Sequence, residues 1–247
     1  MKAGKLIATI EVRVGSTRLP GKAIKKIVDK PMLEIMIERV KRAHFIEEII
    51  VATSLNPKDD IIENLAHKLN VKYFRGSEDD VLERVLKAAQ KYNGKHIVEL
   101  WGDSPLIDPT IIDQAIGYYR KGDFDCIGTC LNKKFPLGMG VLIFPTSILG
   151  EVSRITNDPV DRENVSNYIY EHPDKYKIGN LPCPPELNRP EIRLSVDEIT
   201  DFELVKIIYE NLAPRNPFFS TIDIIRFLDE NPHLKNINRG VKQRIIR

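Results

Sequence analysis

An α/β fold, with a mainly parallel central sheet flanked by helices, is predicted by two observations. Strand-like and helix-like segments alternate through the first half of the 247-residue chain, the order that crossover helices impose on a parallel sheet. No internal repeat, low-complexity segment or Gly/Ser linker interrupts that order, so residues 1–247 read as one domain with an excursion at about 133–190.

The elements follow in sequence. Lys5 to Val12 (KLIATIEV) is a short apolar, β-branched run that reads as a buried strand. Asp29-Lys30-Pro31 can cap and open a helix, with Pro31 near its first position and Leu33, Ile37 and Val40 apolar. Glu48 to Thr53 is a second strand, Lys58 to Leu69 an amphipathic helix and Val71 to Phe74 a third strand. Ser77 ahead of Glu78-Asp79-Asp80 reads as a cap with acids on the helix dipole, opening a helix to about Tyr92. On that helix Arg84 reads as a surface charge. His96 to Leu100 is a fourth strand, and Asp108-Pro109 caps a helix over Ile111 to Arg120, which makes Asp108 structural. Asp125 to Thr129 and Val141 to Phe144 read as strands around a turn-rich hinge, Phe135 to Gly140. Residues 146–172 carry helical patterns, and 176–194 extended ones broken by Pro182, Pro184, Pro185 and Pro190. Ile192 to Val196 reads as a strand ending at Asp197, followed by a long helix through Leu212 with Phe202, Val205 and Tyr209 on one face.

Composition excludes several classes. Lys plus Arg total 37 and Asp plus Glu 35, a net charge of +2, so bulk electrostatics predict no nucleic-acid partner. No apolar run approaches the roughly 18 residues of a membrane span, and no signal-peptide pattern stands at the N-terminus, which leaves the cytoplasm as the expected location. Cys126, Cys130 and Cys183 are an odd number in a large chain and read as structural thiols rather than a disulfide framework or metal ligands. The five histidines show no metal-ligand spacing. The basic C-terminus, Arg239, Lys242, Arg244 and Arg247, reads as a solvated tail.

One stretch has a composition that packing does not require: Arg13-Val-Gly-Ser-Thr-Arg-Leu-Pro-Gly-Lys22, between the first strand and the first helix. Its glycines let backbone N–H groups approach phosphate oxygens, and Arg13, Arg18 and Lys22 supply the charge a triphosphate needs, at the strand end where open α/β sheets bind ligands. It is not a Walker loop, because five residues separate Gly15 from Gly21 and Ala23 stands where a magnesium hydroxyl would be. Nor is it the three-glycine dinucleotide fingerprint. A surface turn with solvated cations is the plain alternative.

The loop residues resemble the signature of the sugar-activating cytidylyltransferases: CMP-KDO synthetases, acylneuraminate cytidylyltransferases and, most closely, the spore-coat polysaccharide nucleotidyltransferases. Val51-Ala-Thr-Ser54, Phe74-Arg-Gly-Ser-Glu-Asp-Asp-Val-Leu82, Gly102-Asp-Ser-Pro-Leu-Ile-Asp-Pro109, Asp161-Arg-Glu163 and Arg193-Leu-Ser-Val-Asp197 follow in the family's order. The resemblance implies a Rossmann-like, glycosyltransferase-A-type nucleotidyltransferase fold. It implies nucleotide contacts at Gly15, Ser16, Thr53, Arg75, Ser77 and Gly102, although Thr53 could equally belong to an ordinary strand-to-helix turn. It implies Mg²⁺ on Asp103 and Asp197; Asp103 alone reads equally as a turn aspartate ahead of Pro105. Asp201 also matches, either for metal or for the helix dipole. The portion after the hinge, with Gly138, Arg162, Glu163 and Asn164, is expected to face the acceptor and to help form a homodimer.

The expected reaction is attack of an acceptor oxygen on the α-phosphorus of a nucleoside triphosphate, CTP by resemblance, with loss of pyrophosphate, in the service of surface polysaccharide synthesis. Arg13, Arg18 and Lys22 would hold the β- and γ-phosphates; positioning and charge neutralisation suffice and no side-chain nucleophile is needed. The rivals are a nucleotide-sugar glycosyltransferase, which does not need three cations in its first loop, and a non-catalytic nucleotide-binding subunit, which has no use for two metal carboxylates. The chain departs from the relatives where their hinge reads Pro-x-Gly-x-Asp-x-Glu-x-Phe, since Gly140 and Leu142 replace the acids, and where their Arg-Glu-His becomes Arg162-Glu163-Asn164. Fewer carboxylates favour an anion, so the expected acceptor is a sugar acid, sugar phosphate or phosphonate.

Overall fold

The structure is a computed structural model and describes residues 4–244. Its strands are β1 (Leu6–Glu11), β2 (Lys26–Ile27), β3 (Lys30–Pro31), β4 (Glu48–Ser54), β5 (Lys72–Gly76), β6 (His96–Trp101), β7 (Cys126–Gly128), β8 (Leu142–Pro145) and β9 (Ile178–Asn180). The helices are α1 (Met32–Val40), α2 (Asp60–Lys68), α3 (Val81–Lys91), α4 (Pro109–Lys121), α5 (Thr146–Ile155), α6 (Pro159–Glu163), α7 (Asn167–Glu171), α8 (Ile199–Leu212) and α9 (Thr221–Glu230). Seven strands form one sheet in the order β5-β4-β1-β6-β8-β7-β9. β8 runs antiparallel to both its neighbours and every other pairing is parallel. The mainly parallel α/β sheet expected from the alternation is therefore present, and part of the stretch 133–190 lies within it as β8 and β9.

From β1 the chain winds outward through β4 and β5, then returns to place β6 on the other flank of β1. The crevice beyond the carboxyl ends of β1 and β6 is thus the topological switch point, where open α/β sheets bind ligands. The two faces of the sheet differ there. Leu6, Ala8 and Ile10 of β1 and Val98 and Leu100 of β6 enter an apolar layer with residues of α1, α4, α8 and α9. On the opposite face Ile7 and Ile97 pack against α3 and α5, but alternation brings Thr9, Glu11, Glu99 and Trp101 to that same face nearer the carboxyl ends. An apolar layer that turns polar at one end marks where the sheet meets a cleft.

Several local expectations are corrected. Asp29 caps nothing: Val28 and Asp29 form the turn of a small β2–β3 ribbon, and Pro31 stands at the N-cap of α1. The N-cap of α3 is Asp80, which accepts from Glu83 N, while Ser77 sits upstream with its Oγ accepting from Asp80 N. Ile192 to Val196 is not a sheet strand; it is an extended segment tied to the hinge by a single Leu137–Arg193 bridge. α9 lies beyond the elements expected from the sequence, although Ser220 and Asp223 form a reciprocal capping box at its start. Asp108 is structural as read, accepting from Thr110 N at 2.9 Å and from Thr221 N at 2.7 Å, so it joins the starts of α4 and α9. Arg39 tightens the same corner by donating to the carbonyls of Ile107 and Phe219, and burial lowers its guanidinium pKa to about 10. No helix among the described residues is long and apolar enough to cross a membrane.

Candidate active site

The basic loop leaves β1 and is closed on itself. Gly21 N donates to Val14 O at 3.0 Å and Leu19 N to Ser16 Oγ at 3.3 Å. Buried Asp59 fixes the root, accepting from Val14 N at 2.8 Å and from Ser54 N at 3.2 Å. A closed loop aims its terminal cation inward: Lys22 Nζ donates to Val196 O at 2.7 Å and lies 3.2 Å from Asp197 and 3.6 Å from Asp103. Arg18 reaches the same Asp197 oxygen at 2.7 Å. Asp103 is delivered by Gly102, where a Cβ would stand 2.7 Å from that of Val12 and 2.8 Å from Glu11 O; only a glycine lets β6 end this close to β1.

Asp197 is held from behind. Arg193 Nη2 donates to its Oδ2 at 2.6 Å, and Arg193 Nε to buried Asp201 at 2.9 Å. Asp201 also accepts from the N–H groups of Asp197 and Glu198 and from Asn238, which gives it a positioning role with no oxygen free for a ligand. Gly138 belongs to this support rather than to the acceptor side. Its φ of +100° and the 2.7 Å from an added Cβ to Ser195 N show the hinge backbone pressed against the Asp197 segment.

Burial pushes the Asp103 carboxyl up, with Lys22 pulling against it. At Asp197 burial also pushes up, but Lys22, Arg18 and Arg193 together hold the carboxyl below its usual range. The two aspartates suit Mg²⁺: they are hard oxygen donors, few enough to leave room for phosphate and water, and an ammonium already stands against both. No third acid, histidine or cysteine completes a metal cluster among the described residues.

The other expected site residues divide. Arg13, Ser16, Gly102, Arg162, Glu163 and Asn164 line the same cleft as the lysine and the two aspartates, a space of about 1080 Å³. Arg13 pairs with Glu78 at 3.0 Å, and Arg162 crosses from α6 to Asp80 at the start of α3. Arg75 does not reach the cleft. It is spent on Asp60 at 2.6 Å, Glu63 at 3.0 Å and the carbonyls of Ser54 and Asn56, because alternation along β5 turns it toward α2. Thr53 is fully buried within β4, and Ser77 is engaged in its turn; neither borders the cleft.

Three sequence inferences fail here. Arg84 is no surface charge: it is 3% exposed and donates to Ser77 O at 2.6 Å. The basic tail is not wholly solvated, since Lys242, Gln243 and Arg244 line the cleft, Gln243 accepting from Arg193 and Arg244 pairing with Glu163; Arg247 lies outside the described residues. The loss of the hinge acids does not empty the wall of carboxyl groups either. Leu142 is the register partner of Glu99 on β6, so an acid stands across the ladder from the position where the relatives carry theirs, and the ring of Trp101 fills the space beside Gly140.

A family model described as cytidylyltransferase matches residues 7–231. An uncharacterised protein of Methanocaldococcus jannaschii is 38% identical over 98% of both chains. The spore coat polysaccharide biosynthesis protein SpsF of Bacillus subtilis is 33% identical, covering 92% of this chain and 95% of that one. Among solved structures, a cytidylyltransferase of Leptospira borgpetersenii superposes with a TM-score of 0.89 at 34% identity, over 98% of this chain and 99% of that one.

Proposed function

Because the chain belongs to the cytidylyltransferase family and is accordingly a nucleotidyltransferase, we propose that it transfers the cytidylyl group of CTP to a small anionic acceptor. The acceptor oxygen forms a bond to the α-phosphorus, the bridge to the β-phosphate breaks, and pyrophosphate leaves. The observation that carries this reading is Lys22 poised between Asp103 and Asp197 with Arg18 beside it. When phosphates enter, Lys22 and Arg18 can exchange their carboxylate partners for β- and γ-phosphate oxygens, and Arg13 can leave the half-exposed Glu78 to join them. Mg²⁺ on the vacated Asp103 and Asp197 would neutralise charge at the α-phosphate. Arg193, bound to Asp197 on one side and Asp201 on the other, keeps that carboxylate oriented throughout.

An anionic acceptor such as a sugar acid, sugar phosphate or phosphonate is supported by the cations at one rim of the cleft, Arg162, Lys242 and Arg244, and by the sugar-acid enzymes that the loop resembles. A role in surface polysaccharide or glycoconjugate synthesis, and pairing of two copies through the stretch at about 133–190, are proposed on the same resemblance. Pyrophosphate release on mixing with CTP, Mg²⁺ and a panel of acceptors tests the reaction, and light scattering tests the dimer.

A further inference from the structure

The wall of the cleft beneath the loop carries three buried polar groups with no partner among the described residues. Glu11 on β1 and Glu99 on β6 project from the same face one alternation apart, since Glu99 pairs with Thr9 and Glu11 with Trp101. Glu99 is 1% exposed. One oxygen of each has a partner: Thr9 Oγ1 donates to Glu11 Oε1 at 2.9 Å, and the Ser166 hydroxyl serves Glu99. The other, Oε2 in both, is buried and has none, and neither has Arg84 Nε on α3. Arg84 is close enough to act on Glu11 electrostatically, yet its Nη1 is anchored on Ser77 O at 2.6 Å and no ion pair forms. All three residues border the cleft, together with the indole of Trp101.

Each buried group left unsatisfied costs on the order of 1–3 kcal/mol, and native proteins keep few of them. Three on one wall of the substrate cleft present two carboxyl oxygens and one donor; burial raises both carboxyls and Glu99 pushes Glu11 further, so an amine on the ligand would let them ionise and accept. Resting on the reading of this cleft as a CTP site, we propose that the wall reads the base: Glu11 and Glu99 accept the hydrogens of cytosine's exocyclic amine, and Arg84 Nε donates to an acceptor on the same base edge. Uracil, which carries a carbonyl in place of the amine, offers the two carboxyls no hydrogen to accept. The sequence singled out no base-reading residue, because polar residues inside strands do not announce the cleft they face.

Calorimetric titration of CTP and UTP, with Mg²⁺, into the wild type, Glu11→Gln and Glu99→Gln tests the inference. Inorganic tripolyphosphate serves as a probe of the loop. The wild type should prefer CTP, and each variant should lose about tenfold of that preference, the size of one hydrogen bond to a charged group, while binding tripolyphosphate unchanged. A CTP/UTP ratio within twofold of wild type in both variants overturns the inference and leaves the CTP reading standing. A wild type that binds tripolyphosphate without preferring CTP to UTP overturns it as well, and a wild type that binds no CTP overturns both. An amine on the acceptor would meet the same chemistry; then the nucleotide ratio stays, turnover on amino-bearing acceptors falls in the variants, and the assignment to the base is lost.

Discussion

The backbone N–H of Val196 donates to the carbonyl of Asp103 at 2.7 Å, so the segments carrying the two aspartates are fastened at Asp103 itself and one residue before Asp197. Asp103 stands in the turn two residues after β6 and Asp197 ends an irregular segment, and this link makes them a single unit on either side of Lys22. Asp103→Asn and Asp197→Asn should each lower turnover by roughly 100-fold or more, the scale expected when one group that stabilises transition-state charge is lost. Thermal melting should stay within a few degrees of wild type. Initial rates of pyrophosphate release beside melting curves check both statements.

Arg193 and Asp201 should behave as a support. Asp201 is fully buried and accepts from Arg193, Asn238 and two backbone N–H groups. Asp201→Ala should cost about 3 kcal/mol or more in denaturant unfolding, because it leaves four donors, Arg193 Nε among them, without their acceptor. Arg193→Lys should fold yet lose turnover, since an ammonium cannot fork between two carboxylates. The loss should fall on kcat more than on nucleotide affinity, which a kcat and KM comparison reads.

Lys22→Ala should weaken triphosphate binding by about tenfold or more, as expected for a charge-assisted contact. It should also remove the ammonium that stands against both aspartates without metal. Calorimetry with CTP, with and without Mg²⁺, separates the two effects, and chelation of the metal should abolish turnover in the wild type.

Stability should carry the signature of the buried wall. Burial pushes the Glu99 carboxyl up to about 7, above its value in the unfolded chain. A carboxyl raised in this way holds its proton better when folded, so its contribution is fully present at acid pH and is lost as pH climbs from the ordinary carboxylate range through about 7. Glu11, Cys130 and Tyr170 face the same group, and the Ser166 hydroxyl donates to it. Glu99→Gln should therefore gain stability over wild type at pH 8, by on the order of 3 kcal/mol, with little gain at pH 5. Urea midpoints at the two pH values check it.

The basic loop was legible in the sequence because three cations and two glycines do not belong at the end of a buried strand, whereas the two aspartates stood out only through the family resemblance, Asp103 alone reading equally as a turn aspartate. Arg75 misled because a cation at a strand end says nothing about which face it takes, and here it faces the acids of α2. Arg193 stood four residues before Asp197 in plain view, yet its fork between two carboxylates needs three dimensions. Glu11 and Glu99 were hidden by strand context, and the tail was hidden because its neighbours across the cleft come from α6 and the segment before α8. Residues whose partners are distant in the chain carry no local pattern to read.

The central claim is that the cleft joining Lys22, Asp103 and Asp197 performs cytidylyl transfer. The most direct measurement is stoichiometric: pyrophosphate and cytidylyl-acceptor conjugate quantified together, from CTP and a panel of sugar acids, sugar phosphates and phosphonates, for the wild type and Asp197→Asn. The account predicts equal amounts of the two products with CTP, little with ATP or GTP, and loss of both in Asp197→Asn. Conjugate formed preferentially from a purine nucleotide, or undiminished in Asp197→Asn at saturating Mg²⁺, would contradict it.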